Sequence, residues 1–186
     1  MPAVDFDQEK RQLFALIKKV AFFKEKIILS SGKESDYYID ARRATLTSEG
    51  AYLCGRIFLQ MLKKEKFEAV GGPTVGADPI VGAIAALSYQ QGKKLNTFIV
   101  RKEPKGYGKR QQTEGPPIPE GSRVILIDDV ATTGKAFILA IDVLERQGVK
   151  APKAYCIVDR GEGAKESLAK RGCELVSIFT AKEFLK

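Results

Sequence analysis

The 186-residue chain has no histidine and only three cysteines. Without histidine there is no His-based catalytic triad, no zincin motif and little scope for zinc catalysis, so acid–base work falls to carboxylates, lysines or tyrosines. Cys54, Cys156 and Cys173 are odd in number, widely spaced and set in apolar segments, which suits reduced core thiols better than disulfides or a zinc site. Uncharged apolar runs of membrane-spanning length are missing, and the N-terminus, with Asp5, Asp7 and Glu9 around Phe6, lacks the basic-then-apolar order of a signal peptide. The expectation is a soluble cytoplasmic protein with no membrane partner. Repeats and low-complexity segments are also lacking.

What is present is enough for one domain: 44% of residues are hydrophobic, and the length falls in the usual single-domain range. The net charge of +8 fits either nucleic acid or a highly anionic small substrate, and its location along the chain must decide between them.

The most informative stretch runs from Val124 to Ala136. Val124-Ile125-Leu126-Ile127 suits a strand buried on both faces. Asp128 and Asp129 emerge at its carboxyl end, where ligands sit in open α/β sheets. Thr132, Thr133 and Gly134 then offer hydroxyls and approachable N–H groups at a helix N-terminus, a favourable place for an anion. One end asks for hydroxyls or a metal and the other for phosphate, and a ribose 5-phosphate answers both. A solvated acidic turn with a threonine N-cap would explain Thr132 or Thr133 alone. It accounts poorly for the paired acids.

Hydrophobic spacing predicts a helix from Asp5 to about Phe23, opened by a capping box of Asp5 with Gln8. A hairpin follows, with Ile27–Leu29 as one arm, a polar turn through Ser35, and Tyr37–Asp40 as the return. A second helix is capped by Thr47 or Ser48 and runs to about Glu65. Ala69–Gly72 reads as a strand, and Pro73–Pro79 as a small-residue turn that serves either as a pyrophosphate cradle or as a plain connection into the helix Ile80–Gln91. Strand Asn96–Val100 leads into a long basic loop from Arg101 to Gly115, a length that usually signals function or disorder. Beyond the central strand come a helix from Lys135 to Gln147, a strand Lys153–Asp159 ending in Arg160, a helix Ala164–Arg171, a strand Leu175–Phe179 and a terminal turn Ala181–Leu185. Strands alternating with helices at this spacing imply an α/β fold whose parallel sheet is covered on both faces.

Three segments carry a family resemblance. Asp128-Asp129-Val130-Ala131-Thr132-Thr133-Gly134 after a hydrophobic strand resembles the phosphoribosyl pyrophosphate (PRPP) motif of type I phosphoribosyltransferases. Leu29-Ser30-Ser31-Gly32-Lys33-Glu34-Ser35-Asp36-Tyr37-Tyr38 resembles the hood of orotate phosphoribosyltransferases, which encloses the pyrimidine. Arg101-Lys102-Glu103-Pro104-Lys105-Gly106-Tyr107-Gly108, ending at Glu114-Gly115, is similar to that family's mobile catalytic loop. The resemblance implies a type I phosphoribosyltransferase-like parallel sheet flanked by helices with an N-terminal hood. It also implies a single domain over 1–186, with the hood mainly 1–45 and the core about 46–186.

The activity implied is transfer of the phosphoribosyl group from PRPP to orotate in pyrimidine (UMP) biosynthesis, in a homodimer with shared active sites. Catalysis falls to Lys105, Asp128 and Asp129. PRPP binding falls to Arg101, Lys102, Lys105 and the run Asp128, Asp129, Val130, Ala131, Thr132, Thr133, Gly134, Lys135, Ala136. Orotate falls to Tyr37, Tyr38, Thr132 and Arg160, the arginine meeting its carboxylate. Mg²⁺ is carried by PRPP, with no direct protein ligand, and reaches Asp128 or Asp129 through water. Two positions depart from the pattern: Tyr107 stands where many members have histidine, and Ser30 where some have lysine.

Two rivals remain at this point. A regulatory protein keeping the fold but binding RNA or DNA would need a separate basic face with aromatic platforms, whereas five cations, Arg101, Lys102, Lys105, Lys109 and Arg110, fall on the loop, so no nucleic-acid partner is expected. A purine transferase would have no use for a carboxylate clamp at Arg160.

Overall fold

The computed structural model describes residues 5–28, 34–104 and 112–186. Helix α1 (Phe6–Val20) begins after Asp5, whose carboxylate accepts from the Asp7 amide at 3.1 Å. The capping partner is therefore that amide and not Gln8. The chain then leaves the helix early: Phe22–Phe23 form strand β1, not the last turn of α1. Short strands β2 (Ile27–Ile28) and β3 (Glu34–Ser35) pair with each other, while β4 (Tyr38–Ile39) pairs antiparallel with β1, Phe23 opposite Tyr38. Tyr37–Asp40 is thus the partner of the Phe22–Phe23 segment, and not the return arm of the Ile27–Leu29 strand. Aromatic contacts explain the choice, since Phe22 stacks on Tyr37 at 5.9 Å and Phe23 on Tyr38 at 6.5 Å.

The chain continues through the short α2 (Arg42–Thr45) into α3 (Ser48–Met61). Thr47 caps α3, its hydroxyl accepting from Gly50 N at 3.0 Å. Strand β5 (Ala69–Pro73), helix α4 (Asp78–Gln90) and strand β6 (Asn96–Val100) follow. The long basic loop is closed at its base by β7 (Thr113–Glu114), antiparallel to β6. Strand β8 (Arg123–Ala131), α5 (Lys135–Glu145), β9 (Lys150–Asp159), α6 (Ala164–Ala169), β10 (Glu174–Thr180) and α7 (Ala181–Leu185) complete the chain.

The six-stranded sheet has the order β10-β9-β8-β5-β6-β7 and is parallel except at β7. Strand β8 shows why it sits at the centre. Ile125 and Ile127 face a core that also holds Ile17 of α1, Phe58 of α3 and Ile84 of α4. Val124 and Leu126 face a second core with Phe137 and Ile141 of α5 and Leu168 of α6. A strand buried on both sides reads as a continuous apolar run, and these four side chains are at most 2% exposed. Burying each one contributes about 1.5–3 kcal/mol before chain entropy is counted. Cys54, Cys156 and Cys173 are free and buried, as the sequence suggested.

Beyond β5 the chain steps to β6 on one side, and from β8 it steps to β9 on the other. The β5/β8 boundary is therefore the point where the winding reverses, and the crevice outside the carboxyl ends of those strands is the natural ligand site.

Candidate active site

Asp128 and Asp129 are the last polar pair of β8 and lie within the strand itself, since ladder pairing with β9 continues to Ala131. They stand near the carboxyl end of the strand, where the sequence placed them. Asp128 lies opposite Cys156 and is only 7% exposed. Each carboxylate folds back on the next amide: Asp128 Oδ1 accepts from Asp129 N at 2.9 Å, and Asp129 Oδ1 from Val130 N at 2.7 Å. Burial pushes the Asp128 carboxyl well above the usual carboxylate range, and the neighbouring Asp129 adds to the effect. Burial also raises Asp129, opposed by the amide of Val130 and by the Arg42 guanidinium. This pair is poised to accept from hydroxyls or to face a cation.

The Pro73–Ala77 turn presses against the acids from β5. A Cβ at Gly76 would strike both carboxylates, lying 2.8 Å from Asp129 Cγ. Glycine is required there by close approach, not by its dihedral angles.

Past the acids, Ala131 ends β8 and Thr132-Thr133-Gly134 turn into α5. Gly134 occupies the N-cap position with φ of 83°, and its side-chain-free cap leaves the first N–H groups of α5 open. Neither threonine is the N-cap; both flank it, half-buried. First-turn amides plus the helix dipole make an anion site.

Two connected cavities meet here. One, of about 360 Å³, follows Thr132–Ala136 and the start of α5. The other, of about 650 Å³, extends toward the hood along Tyr38, Asp40, Arg42 and Arg160. Lys102, Asp128, Val130, Thr132 and Ala136 line both. Both volumes fall in the range of small-molecule sites.

Arg160 follows the last residue of β9, and its amide donates to Ala131 O at 2.9 Å, fixing it to the end of β8. Its side chain lines the larger cavity but is already engaged. Nε donates to Glu162 Oε1 at 2.7 Å, Nη2 donates to Ser35 Oγ at 3.0 Å, and the guanidinium lies 4.4 Å from the centre of the Tyr37 ring. Arg160 is thus paired with an acid while its side chain is only 3% exposed.

Other residues expected at the site are distributed unevenly. Tyr38 lines the larger cavity, whereas Tyr37 lies under Arg160 and supports it. Lys102 is shared by both cavities; Arg101 instead pairs with Glu114 at 3.5 Å across the base of the loop. Lys105 and Tyr107 of the loop, and Ser30 and Lys33 of the hood, lie outside the described residues. Sequence reasoning missed Asp40 and Arg42, joined at 2.9 Å, and it missed Glu162. The spacing Asp40-x-Arg42 just after the aromatic pair was the available signal.

A crevice at the sheet's winding reversal, with carboxylates at one end and a helix N-terminus at the other, suits a ligand that carries both hydroxyls and a phosphate. Residues 46–184 match the phosphoribosyl transferase domain family, and the chain belongs to it. Within that family it groups with the orotate phosphoribosyltransferases. The orotate phosphoribosyltransferase of Aquifex aeolicus is 40% identical over 180 residues, covering 95% of this chain and 98% of that protein. That of Thermosynechococcus vestitus is 41% identical over 170 residues, covering 91% and 89%. Among solved structures, Mycobacterium tuberculosis orotate phosphoribosyltransferase in complex with PRPP superposes with a TM-score of 0.79 at 29% identity, over 96% of this chain and 99% of that one. An adenine phosphoribosyltransferase from Thermoanaerobacter pseudethanolicus is 16% identical with a TM-score of 0.63, a likeness of fold alone.

Proposed function

We propose that the chain is an orotate phosphoribosyltransferase that converts PRPP and orotate to orotidine 5′-monophosphate and pyrophosphate. The observation that carries the reading is the crevice itself: it joins a carboxylate pair, buried at Asp128 and half-buried at Asp129, an open helix N-terminus and a buried arginine within one connected space. Asp128 and Asp129 accept from the ribose 2′- and 3′-hydroxyls, while Thr132–Ala136 hold the 5′-phosphate on the first amides of α5. Arg160 clamps the orotate carboxylate at the other wall, beside Tyr38.

In the reaction the bond between the anomeric carbon and pyrophosphate breaks as N1 of orotate bonds to that carbon, through an oxocarbenium-like state. The N1 proton leaves to solvent. Lys102, with Lys105 of the basic loop, stabilises the departing pyrophosphate, and closure of that loop keeps water from the reactive carbon.

Two adjacent desolvated carboxylates opening on a phosphate-binding space fit Mg²⁺, which favours one or two carboxylates plus substrate phosphates. Asp128 and Asp129 would hold it through water, and when bound it supplies charge neutralisation for pyrophosphate. Among the described residues no cluster of three or more acids, histidines or cysteines is arranged to hold a metal by itself.

A homodimer is part of the proposal. Leu46, Val75 and Tyr89 are 70%, 59% and 73% exposed, apolar side chains that a second copy of the chain would cover. Among the described residues no helix is long and apolar enough to cross a membrane. A spectrophotometric assay of orotate consumption with PRPP and Mg²⁺ tests the activity. Consumption that requires both substrates is expected, and its absence in folded protein would refute the reading.

A further inference from the structure

Arg160 enters the site with its charge already matched. Glu162 Oε1 takes its Nε at 2.7 Å, and Ser35 Oγ takes a hydrogen of Nη2 at 3.0 Å. A guanidinium carries five N–H donors in a rigid fork. Two are spent on these partners, leaving both hydrogens of Nη1 and one of Nη2 for a ligand. The Tyr37 ring beneath, 4.4 Å from the guanidinium carbon, fixes the plane of the fork. Tyr37 in turn stacks on Phe22, and Phe22 lies 6.0 Å from Phe184 of α7. The arginine is held in place before any ligand arrives.

Glu162 is poorly explained by stability. Its Oε2 is buried with no hydrogen-bond partner among the described residues, and a buried, unpaired carboxylate oxygen is costly. A buried ion pair of this kind is weak as a source of stability. Glu162 is also absent from the residues lining the cavity, so its effect on a ligand must pass through Arg160.

We infer that Glu162 is a specificity-setting positioning residue, which neutralises Arg160 in the free site so that orotate is selected by the geometry of its carboxylate and ring, not by its negative charge. This rests on the orotate-binding role proposed above for Arg160. A bare buried guanidinium would attract any anion, including the phosphates of the other substrate. Paired with Glu162, it offers a fork of fixed orientation and little net charge. An anion gains there only if it fits the remaining donors and the ring contacts at once.

The test is direct binding of orotate and of benzoate, a carboxylate on a ring without orotate's polar edge. Binding to the parent and to Glu162→Gln, Glu162→Ala and Glu162→Asp is measured calorimetrically, with melting curves to verify folding. Glu162→Gln keeps an acceptor for Nε and removes the charge. It is expected to bind both carboxylates more tightly, benzoate gaining more, so that the orotate-to-benzoate preference narrows by about tenfold or more, on the scale of a charged hydrogen bond. Glu162→Ala is expected to narrow the preference as well, through a loss of orotate affinity as the fork loosens. Glu162→Asp keeps the charge and should preserve most of the preference. A purely structural glutamate would lower melting temperature in all three variants without changing the ratio. Unchanged preference in folded Glu162→Gln and Glu162→Ala overturns the inference while orotate binding by the parent leaves the activity standing. A parent that binds no orotate overturns both.

Discussion

Asp128→Asn should make the ligand-free protein more stable at neutral pH while it weakens PRPP binding. Asp128 is 7% exposed, and its carboxyl is pushed well up, first by burial and then by Asp129. A carboxyl raised in the folded state favours folding below the ordinary carboxylate range, and that advantage is lost as pH rises through the raised value. Ionising the pair as pH rises toward neutral is therefore a cost. Asparagine keeps the size and the acceptor that now receives Asp129 N at 2.9 Å, but it cannot ionise. The stability gain should approach the ~1–3 kcal/mol of a buried polar group relieved of its penalty, or roughly 2–10 °C in melting temperature for a chain of this length. Loss of the charged acceptor should weaken PRPP by about 1.5–3 kcal/mol. Asp129→Asn should gain less, because Arg42 and the Val130 amide already favour its ionised form. Melting curves of parent and variant from about pH 4 to 8, with and without PRPP, provide the measurement. The variant's advantage should be near zero at the acid end and grow as pH rises. A difference that is flat, or that shrinks with pH, refutes the electrostatic reasoning, and unchanged PRPP affinity refutes the site.

Arg160→Ala should raise the KM for orotate far more than that for PRPP, whereas an arginine with only a structural role would alter both alike and lower the melting temperature. Gly76→Ala should cost on the order of a hundredfold in kcat/KM, the scale of a 1 Å misplacement, because its Cβ displaces the carboxylates of Asp128 and Asp129; near-parent activity would show that the acids can move without consequence. If loops are shared across a dimer, mixing inactive Lys105→Ala subunits with inactive Asp128→Asn subunits should restore up to one working site per heterodimer, and no recovery after verified exchange would count against sharing.

The fold was legible where the pattern was long. Strand β8 announces itself because Val124 to Ile127 must be apolar on both faces, and α1, α3, α4 and α5 follow from spacing and caps. The sequence reading erred on elements of two residues. Phe22–Phe23 read as a helix end, since a pair of phenylalanines has no period, and only the distant Tyr37–Ile39 segment makes it a strand. Strand β7 was missed for the same reason, as Thr113–Glu114 pairs only because β6 offers an open edge.

The site was legible in its ligand-facing chemistry and not in its support. Asp128 to Gly134 could be read because acids, threonines and glycine follow one another in sequence and their roles follow from residue type. Arg160 was visible as a cation, but its environment was not. Ser35 lies 125 positions away, Tyr37 belongs to the hood, and Glu162 looks like any surface acid until its Oε2 is found buried. The two halves of the site share a physical logic. At one end two desolvated carboxylates are held side by side, so the site favours a ligand that brings donors or a cation. At the other end opposite charges are already joined, so the empty site resists a ligand that brings only charge. A molecule with hydroxyls and phosphate relieves the first, and a planar carboxylate of the right shape satisfies the second. Selection at the two ends thus rests on opposite electrostatic starting points set by the same sheet, β8 carrying the acids and β9 delivering the arginine one strand away.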